Sequence, residues 1–119
     1  MKAGEFIQKS FHVRTSAHNM HLNTTSYAKH VALNDFYDEI IDLVDSYAEG
    51  YQGKYGLIDN YPGAFRQYAT RAALDEDYVR YINENPTEFY GKADTFLSNI
   101  VDEIVALSYS TLYKLKFLK

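Results

Sequence analysis

Two histidines and two carboxylates in the first half of the chain have the side chains best suited to chemistry. They are His18, His30, Asp45 and Glu49, at successive spacings of 12, 15 and 4 residues. Imidazole nitrogens and carboxylate oxygens are ligand types that suit iron, zinc and manganese. The set is therefore a candidate metal site. The competing interpretation is structural: histidines partly buried between helices, and carboxylates on a solvated helix face.

Helix geometry decides how the four side chains could meet. On a helix that rises about 1.5 Å per residue, His30 and Asp45 lie on the order of 22 Å apart, too far to share an ion. Asp45 and Glu49 are one turn apart and can reach the same ion. The four residues share one site only if two chains pair antiparallel, so that the histidines of one chain meet the acids of the other.

The two histidines flank a predicted turn. Residues 23–25 (Asn-Thr-Thr) have side chains that cap the free amides of a following helix. With the turn centred near Thr24, His18 and His30 are each six residues from it, which places them at the same height in an antiparallel hairpin. His21 could replace His18 as a ligand if the end of the first helix is rotated, but an exposed turn residue is the favoured interpretation.

Hydrophobic periodicity predicts helices and no strands. Apolar residues at helical spacing favour helices over about 4–22 and 25–52, the second ended by Gly50 and Gly53. Short helices are expected over 64–73 and 75–83, and a long one from 87, or from after Gly91, to about 117. The second helix carries a predicted core stripe at Phe36, Ile40, Leu43, Val44, Tyr47 and Tyr51.

These segments predict an all-α fold in one domain that spans residues 1–119. Pro62 and Pro86 divide the chain into helix-rich blocks, because proline breaks a helix interior. Three long helices do not close a bundle by themselves. Either residues 64–85 or a partner chain must supply the fourth packing element.

Composition restricts the function classes. The chain has 119 residues, a net charge of −4 and no Cys, which excludes disulfides and thiol catalysis. The negative charge argues against direct DNA binding, which needs clustered cations. No apolar run has the length of a membrane span, and no secretory signal follows Met1, so a cytoplasmic protein is expected. The 12 tyrosines are typical of wet or intersubunit surfaces. Tyr27 and Tyr37 flank the candidate site, where packing is favoured over electron transfer.

Three short motifs resemble the Dps-type mini-ferritins of the ferritin-like superfamily. That family has a histidine near the end of its first helix, a second one twelve residues later, and an Asp-x-x-Ala-Glu motif fifteen residues after that. The matching stretches are residues 17–20 (AHNM), 26–30 (SYAKH) and 45–49 (DSYAE). The resemblance covers about residues 11–53 and, more weakly, the last helix and residues 66–74. The chain also resembles small proteins encoded by tailed phages.

The resemblance implies a ferritin-like antiparallel helix bundle with a short or reduced third helix. It also implies a homodimer, or a larger homo-oligomeric shell, with an intersubunit ferroxidase site for iron at His18, His30, Asp45 and Glu49. Two positions depart from the family pattern. Asn34 stands where the family has an acid, and Asn19 stands where it has a Trp. Loss of that carboxylate makes zinc an alternative metal, and manganese suits the same ligand types.

Two functions are expected from these observations. The first is a Dps-like protein that binds Fe(II) and oxidises it with peroxide or oxygen. The second is a non-catalytic ferritin-like oligomer that acts as an interaction or structural module, for example a phage-encoded inhibitor or virion component. A phage-encoded protein of the first kind would act in the host cytoplasm.

Overall fold

A computed structural model describes residues 2–63 and 73–118. The segments are α1 (Ala3–Asn23), α2 (Tyr27–Tyr55), a π-helical segment (Ala73–Val79), α3 (Arg80–Glu84), α4 (Pro86–Phe89) and α5 (Thr95–Phe117). No strand occurs in the two described ranges, so the all-α prediction is confirmed there, whereas the ferritin-like arrangement stays a prediction. The short helix expected over 64–73 falls almost wholly outside these ranges. None of the described helices has the length and apolar character needed to cross a membrane.

A tight hairpin joins α1 and α2 through Thr24, Thr25 and Ser26. The Ser26 hydroxyl accepts a hydrogen bond from the Lys29 amide at 3.3 Å, and the Thr24 hydroxyl accepts one from the Ser26 amide at 3.2 Å. Both bonds satisfy backbone donors that a helix start or a turn leaves without a partner. The predicted turn near Thr24 is confirmed, and it brings the two halves of the candidate site side by side.

The end of α2 was expected at the glycines but lies beyond them. Helix α2 continues through Gly50 and Gly53 to Tyr55, and Gly56 follows with a φ of 95° that favours glycine. Gly50 fits within the helix because α5 packs against it. A Cβ there would lie 3.4 Å from Leu97 and 3.5 Å from Phe96. Packing against α5 therefore outweighs the weak helix propensity of this glycine.

Four sides close the bundle, formed by α1, α2, α5 and residues 73–84. Helix α5 runs antiparallel to α2, with Gly50 beside Leu97 and Leu43 in one groove with Leu107. The π-helical segment packs against both α1 and α5 and places Leu74 and Tyr78 in the core. Residues 73–84 thus supply the fourth side, which the sequence left open between this region and a partner chain.

The predicted core stripe of α2 lies in the bundle interior. Phe36, Ile40, Val44 and Tyr47 are buried, and Leu43 and Tyr51 pack partly buried against them. The Tyr47 hydroxyl donates a hydrogen bond of 2.5 Å to the Phe89 carbonyl, which ties α4 to the core. The opposite side of α2 remains free to carry the candidate acids.

Asp94 fixes the junction between α4 and α5. Its carboxylate, 1% exposed, accepts hydrogen bonds from Lys54 and Tyr55, and from the Gly91 amide at 3.0 Å. These contacts place the start of α5 at Thr95 and confirm the alternative that the last helix begins after Gly91. The Lys54 hydrogen bond is the largest influence, with that of Tyr55 second, and together they lower the pKa of Asp94 to about 2.

We expect the contribution of Asp94 to stability to disappear in acid. Because its folded pKa of about 2 lies below the ordinary 3.8, this contribution is fully present above about pH 4 and is lost as the pH falls toward 2. Asp94→Asn should lower Tm at neutral pH and flatten its decline in acid, while Asn substitution of the exposed Asp59 should do neither. Thermal unfolding between pH 6 and about pH 2 checks this, and equal acid slopes for wild type and Asp94→Asn would contradict it.

Candidate functional site

Three imidazoles and one phenol ring cluster between α1 and α2 near the hairpin turn. The rings of His21 and His30 stack with centroids 3.6 Å apart. His18 contacts His21 edge-on at 5.9 Å and lies nearly parallel to Tyr37, with centroids 4.1 Å apart and an interplanar angle of 14°. Two predicted ligand histidines, His18 and His30, thus belong to one cluster, and His21 contacts both.

Two reciprocal hydrogen bonds orient the stacked pair. Nδ1 of His21 lies 2.8 Å from the His30 carbonyl oxygen, and Nδ1 of His30 lies 2.9 Å from the His21 carbonyl oxygen. A carbonyl oxygen can only accept, so each Nδ1 carries the hydrogen and donates it. In the neutral form of each ring, Nε2 then keeps its lone pair. Metal-binding histidines are commonly oriented by this kind of hydrogen bond.

His21 is where the sequence-based expectation was wrong. An exposed turn residue was favoured, but His21 is 8% exposed and packs directly against His30. The reason is the turn centre. Residues 21 and 30 are equidistant from a point between Thr25 and Ser26, so the turn is centred beyond Thr24. His18 therefore lies about one helical turn from the level of His30, and not at the same height as predicted. Counting outward from the middle of the Thr25–Ser26 peptide would have found this pair, because an antiparallel hairpin matches residues by their distance from its centre.

The two predicted acidic ligands lie elsewhere on α2. Asp45 and Glu49 are exposed and one turn apart, and they lie about 22 Å and about 28 Å along the helix from His30 by helix rise. Within residues 2–63 and 73–118, no three His, Asp or Glu side chains lie close enough together to hold a metal ion. One chain therefore unites the histidines but not the acids. The intersubunit arrangement stays a prediction.

Asn34, the departure from the family pattern, already has hydrogen-bond partners. Its side-chain oxygen accepts a hydrogen bond from the Tyr37 hydroxyl at 2.8 Å, and its amide nitrogen donates to Asp38 at 3.5 Å. The oxygen is the atom that could bind a metal, and it orients Tyr37 against His18 instead. Tyr37 therefore packs as expected, whereas Tyr27, expected to pack as well, is 81% exposed.

The electrostatics differ between the two halves of the candidate site. Residues between Lys29 and Lys54 include six carboxylates, Asp35, Asp38, Glu39, Asp42, Asp45 and Glu49, and no Lys or Arg. The outer face of α2 is thus anionic along most of its length. The histidine cluster lies at one end of this face, where neutral imidazoles can bind a cation that the carboxylates attract.

These features define an all-α helical bundle with a histidine cluster at one end and an acidic helix face beside it. The chain belongs to the family of unknown function DUF5856, whose model matches residues 21–115.

One relative comes from a phage. The chain is 25% identical over 119 residues to the uncharacterized 14.6 kDa protein in the mobD-ri intergenic region of Enterobacteria phage T4. The alignment covers 96% of this chain and 88% of that protein. No solved structure is significantly similar to the chain. The family match begins at His21, so it includes the end of α1 and all of α2 with His30, Asp45 and Glu49, whereas His18 precedes it.

Proposed function

We propose that this chain is a metal-binding helical subunit whose metal site forms between two copies. His18 and His30 of one copy face Asp45 and Glu49 of the other, and the bound metal is Fe(II), which peroxide or oxygen oxidises. The observation that carries the proposal is the orientation of His30. Its Nδ1 hydrogen is held by a carbonyl 2.9 Å away, which leaves Nε2 available as a ligand.

The acidic half of the proposed site suits a second chain. Asp45 and Glu49 are exposed and one turn apart, so both carboxylates can approach one ion that is brought to them from outside. On the same face of α2, Tyr27 and Val31 are exposed apolar side chains near His30. An antiparallel pairing of two α2 helices would cover these side chains and bring each pair of acids to the partner's histidines.

In this proposal the iron is the substrate and the protein positions it. Two Fe(II) ions would give one electron each to one peroxide, which takes up two protons and leaves as two molecules of water. The imidazoles bind Fe(II) in their neutral form, and the carboxylates balance the added charge of Fe(III). Zinc and manganese suit the same ligands and are the alternative metals.

Fe(II) binding and oxidation by the purified apo-protein test this function. We expect saturable Fe(II) binding at a fixed ratio to the dimer in anaerobic dialysis, and oxidation faster than in buffer when peroxide or oxygen is added. Asp45→Asn with Glu49→Gln should abolish both, because the amides keep the shape but lose the charge. His30→Ala with Asp45→Ala should do the same. The same experiments with Zn(II) and Mn(II) identify the preferred metal.

A matched control lies on the same helix. Asp35→Asn with Glu39→Gln removes an Asp-Glu pair of identical spacing whose mean direction lies about 80° around the helix from that of Asp45 and Glu49. This variant should bind and oxidise iron like the wild type. Iron binding at the wild-type level by Asp45→Asn with Glu49→Gln would exclude Asp45 and Glu49 as ligands. Oxidation no faster than in buffer would exclude the ferroxidase activity.

A non-catalytic oligomer is the second candidate function. It is favoured by the large aromatic side chains exposed on α5, including Tyr109, Tyr113 and Phe117. Exposed aromatic residues are common at protein interfaces. This function predicts oligomers that persist after chelation, together with no oxidation of iron. The phage relative makes a role in a virion, or as an inhibitor of a host system, a specific form of this candidate.

A further inference from the structure

The outer face of α5 is exposed and carries both charged and aromatic side chains. Along one side of the helix lie Phe96, Asn99, Glu103, Ala106, Leu107, Ser110, Tyr113, Lys114 and Phe117. Phe96 is 43% exposed and Phe117 is 69% exposed. Removing these aromatic rings from water would lower the free energy, so contact with a partner at this face would be favourable.

A groove of about 550 Å³ runs beside this face, between α2 and α5. Its apolar floor includes Leu43, Ala106 and Leu107, and its polar rim includes Glu39, Asp42 and Glu103. None of these three carboxylates forms an ion pair with the residues that the structure describes. The groove is therefore apolar inside and anionic at its edge, so it suits an apolar helix that carries positive charge.

The end of α5 has that complementary chemistry. Between Lys92 and Lys114 the chain has no Lys or Arg, whereas residues 114–119 contain three lysines and no acid. Tyr113 and Phe117 are exposed beside Lys114. One chain thus presents an anionic apolar groove and a cationic aromatic helix end, and neither is covered within the described residues.

Helix register makes the two features self-complementary. Glu103 and Lys114 are 11 residues apart, which is close to three turns and places them within about 20° of one face. If two α5 helices pair antiparallel about a twofold axis near residue 108, each Glu103 lies opposite the partner's Lys114. Small side chains, Ala106 and Ser110, then lie near the axis, where they allow the helices to approach closely.

We propose that a second copy of this chain occupies the groove, with the two α5 helices antiparallel. Each copy places Tyr113 and Lys114 at the Glu103 end of the groove of the other, with Lys114 opposite Glu103, and Phe117 lies just beyond that end. The contact is isologous, since the same surface serves both copies. This surface is distinct from the α2 face that carries Asp45 and Glu49. Two different twofold contacts on one chain build assemblies larger than a dimer.

Charge reversal and charge exchange test the pairing. Sedimentation equilibrium of the metal-free wild type should show a dimer. Glu103→Lys alone, and Lys114→Glu alone, should each weaken the dimer by about tenfold or more, because each places like charges opposite one another twice. The double variant Glu103→Lys with Lys114→Glu should recover the dimer, since the opposite charges then meet again. Recovery in the double variant would show that the single variants lose the dimer through charge repulsion and not through unfolding.

Asp102→Lys is the matched control, because it makes the same charge change one residue away and about 100° around the helix. It should leave the dimer unchanged. A wild type that is monomeric at high micromolar concentration would overturn the proposal, and so would a double variant no stronger than the single ones. Binding of a synthetic basic amphipathic helix to a monomeric wild type would overturn self-pairing in favour of a foreign partner.

The outcome does not depend on the proposed metal function. Asp45→Asn with Glu49→Gln should abolish iron binding but leave the α5 dimer intact, whereas Glu103→Lys should weaken the α5 dimer. Failure of iron binding with an intact α5 dimer would overturn only the metal proposal. Normal iron binding by a protein that never pairs through α5 would overturn only this one.

Discussion

Phe6→Ala should destabilise the bundle by about 3–5 kcal/mol, the cost typical of removing a fully buried phenylalanine. Phe6 has no exposed surface, and its ring meets that of Tyr47 edge-on at 4.9 Å and stacks on that of Phe89 at 4.7 Å. The three rings belong to α1, α2 and α4, so the substitution loosens three elements at once. The hydrogen bond from the Tyr47 hydroxyl to the Phe89 carbonyl would also lose its packing support.

Urea unfolding followed by circular dichroism measures this loss of stability. The control is Phe117→Ala, which makes the same chemical change at a side chain that is 69% exposed. At low micromolar concentration, where pairing of chains is weak, Phe117→Ala should change the free energy of unfolding by less than about 1 kcal/mol. Similar losses for the two variants would mean that the aromatic contact among α1, α2 and α4 does not stabilise the fold.

The sequence predicts the local elements of this fold well. The hairpin near Thr24, the first helix and the buried stripe of Phe36, Ile40 and Val44 all follow from capping residues and helical periodicity. These signals act between residues a few positions apart. The structure therefore agrees with them wherever nearby residues determine the outcome.

Long-range contacts explain what periodicity did not predict. The extension of α2 through Gly50 depends on α5, and the start of α5 depends on contacts of Asp94 with Lys54 and Tyr55, which lie 40 and 39 residues away. Closure of the fourth side requires residues 73–84 to pack against both α1 and α5. A glycine or an aspartate in the sequence does not indicate which distant element will contact it.

For the candidate site too, the sequence predicts part of the arrangement, and contacts between separate elements determine the rest. Spacing from the predicted turn places His18 and His30 at the same height, whereas the structure puts His21 opposite His30 and His18 about one turn away. The predicted exposure of His21 is also wrong. The structure brings the histidines together through His21, and the acids lie at the other end of the same face of α2. Since one rigid helix carries both His30 and Asp45, a contact between them requires a second chain.

Helix α1 packs tightly against the loop after α2 at Gly4, which makes Gly4 a second position sensitive to substitution. A Cβ at Gly4 would lie 2.0 Å from the Asn60 carbonyl oxygen and 3.2 Å from the Ile58 side chain. The oxygen belongs to the backbone, so it cannot rotate away as a side chain would. Gly4→Ala should therefore cost about 1–3 kcal/mol or more, because the loop or the start of α1 must move. Loss of Tm and of the urea midpoint measures this cost.

Gly53→Ala should have the opposite sign. Gly53 lies inside α2, and a Cβ there would meet no atom within 4 Å. Alanine exceeds glycine in helix propensity by up to about 1 kcal/mol, so this variant should be slightly more stable than the wild type. Comparison of the two variants separates steric crowding from backbone entropy. Both substitutions restrict the unfolded chain equally, but only Gly4→Ala creates a clash in the folded state. A stabilised Gly4→Ala protein would show that residues 58–60 do not pack against α1 in solution.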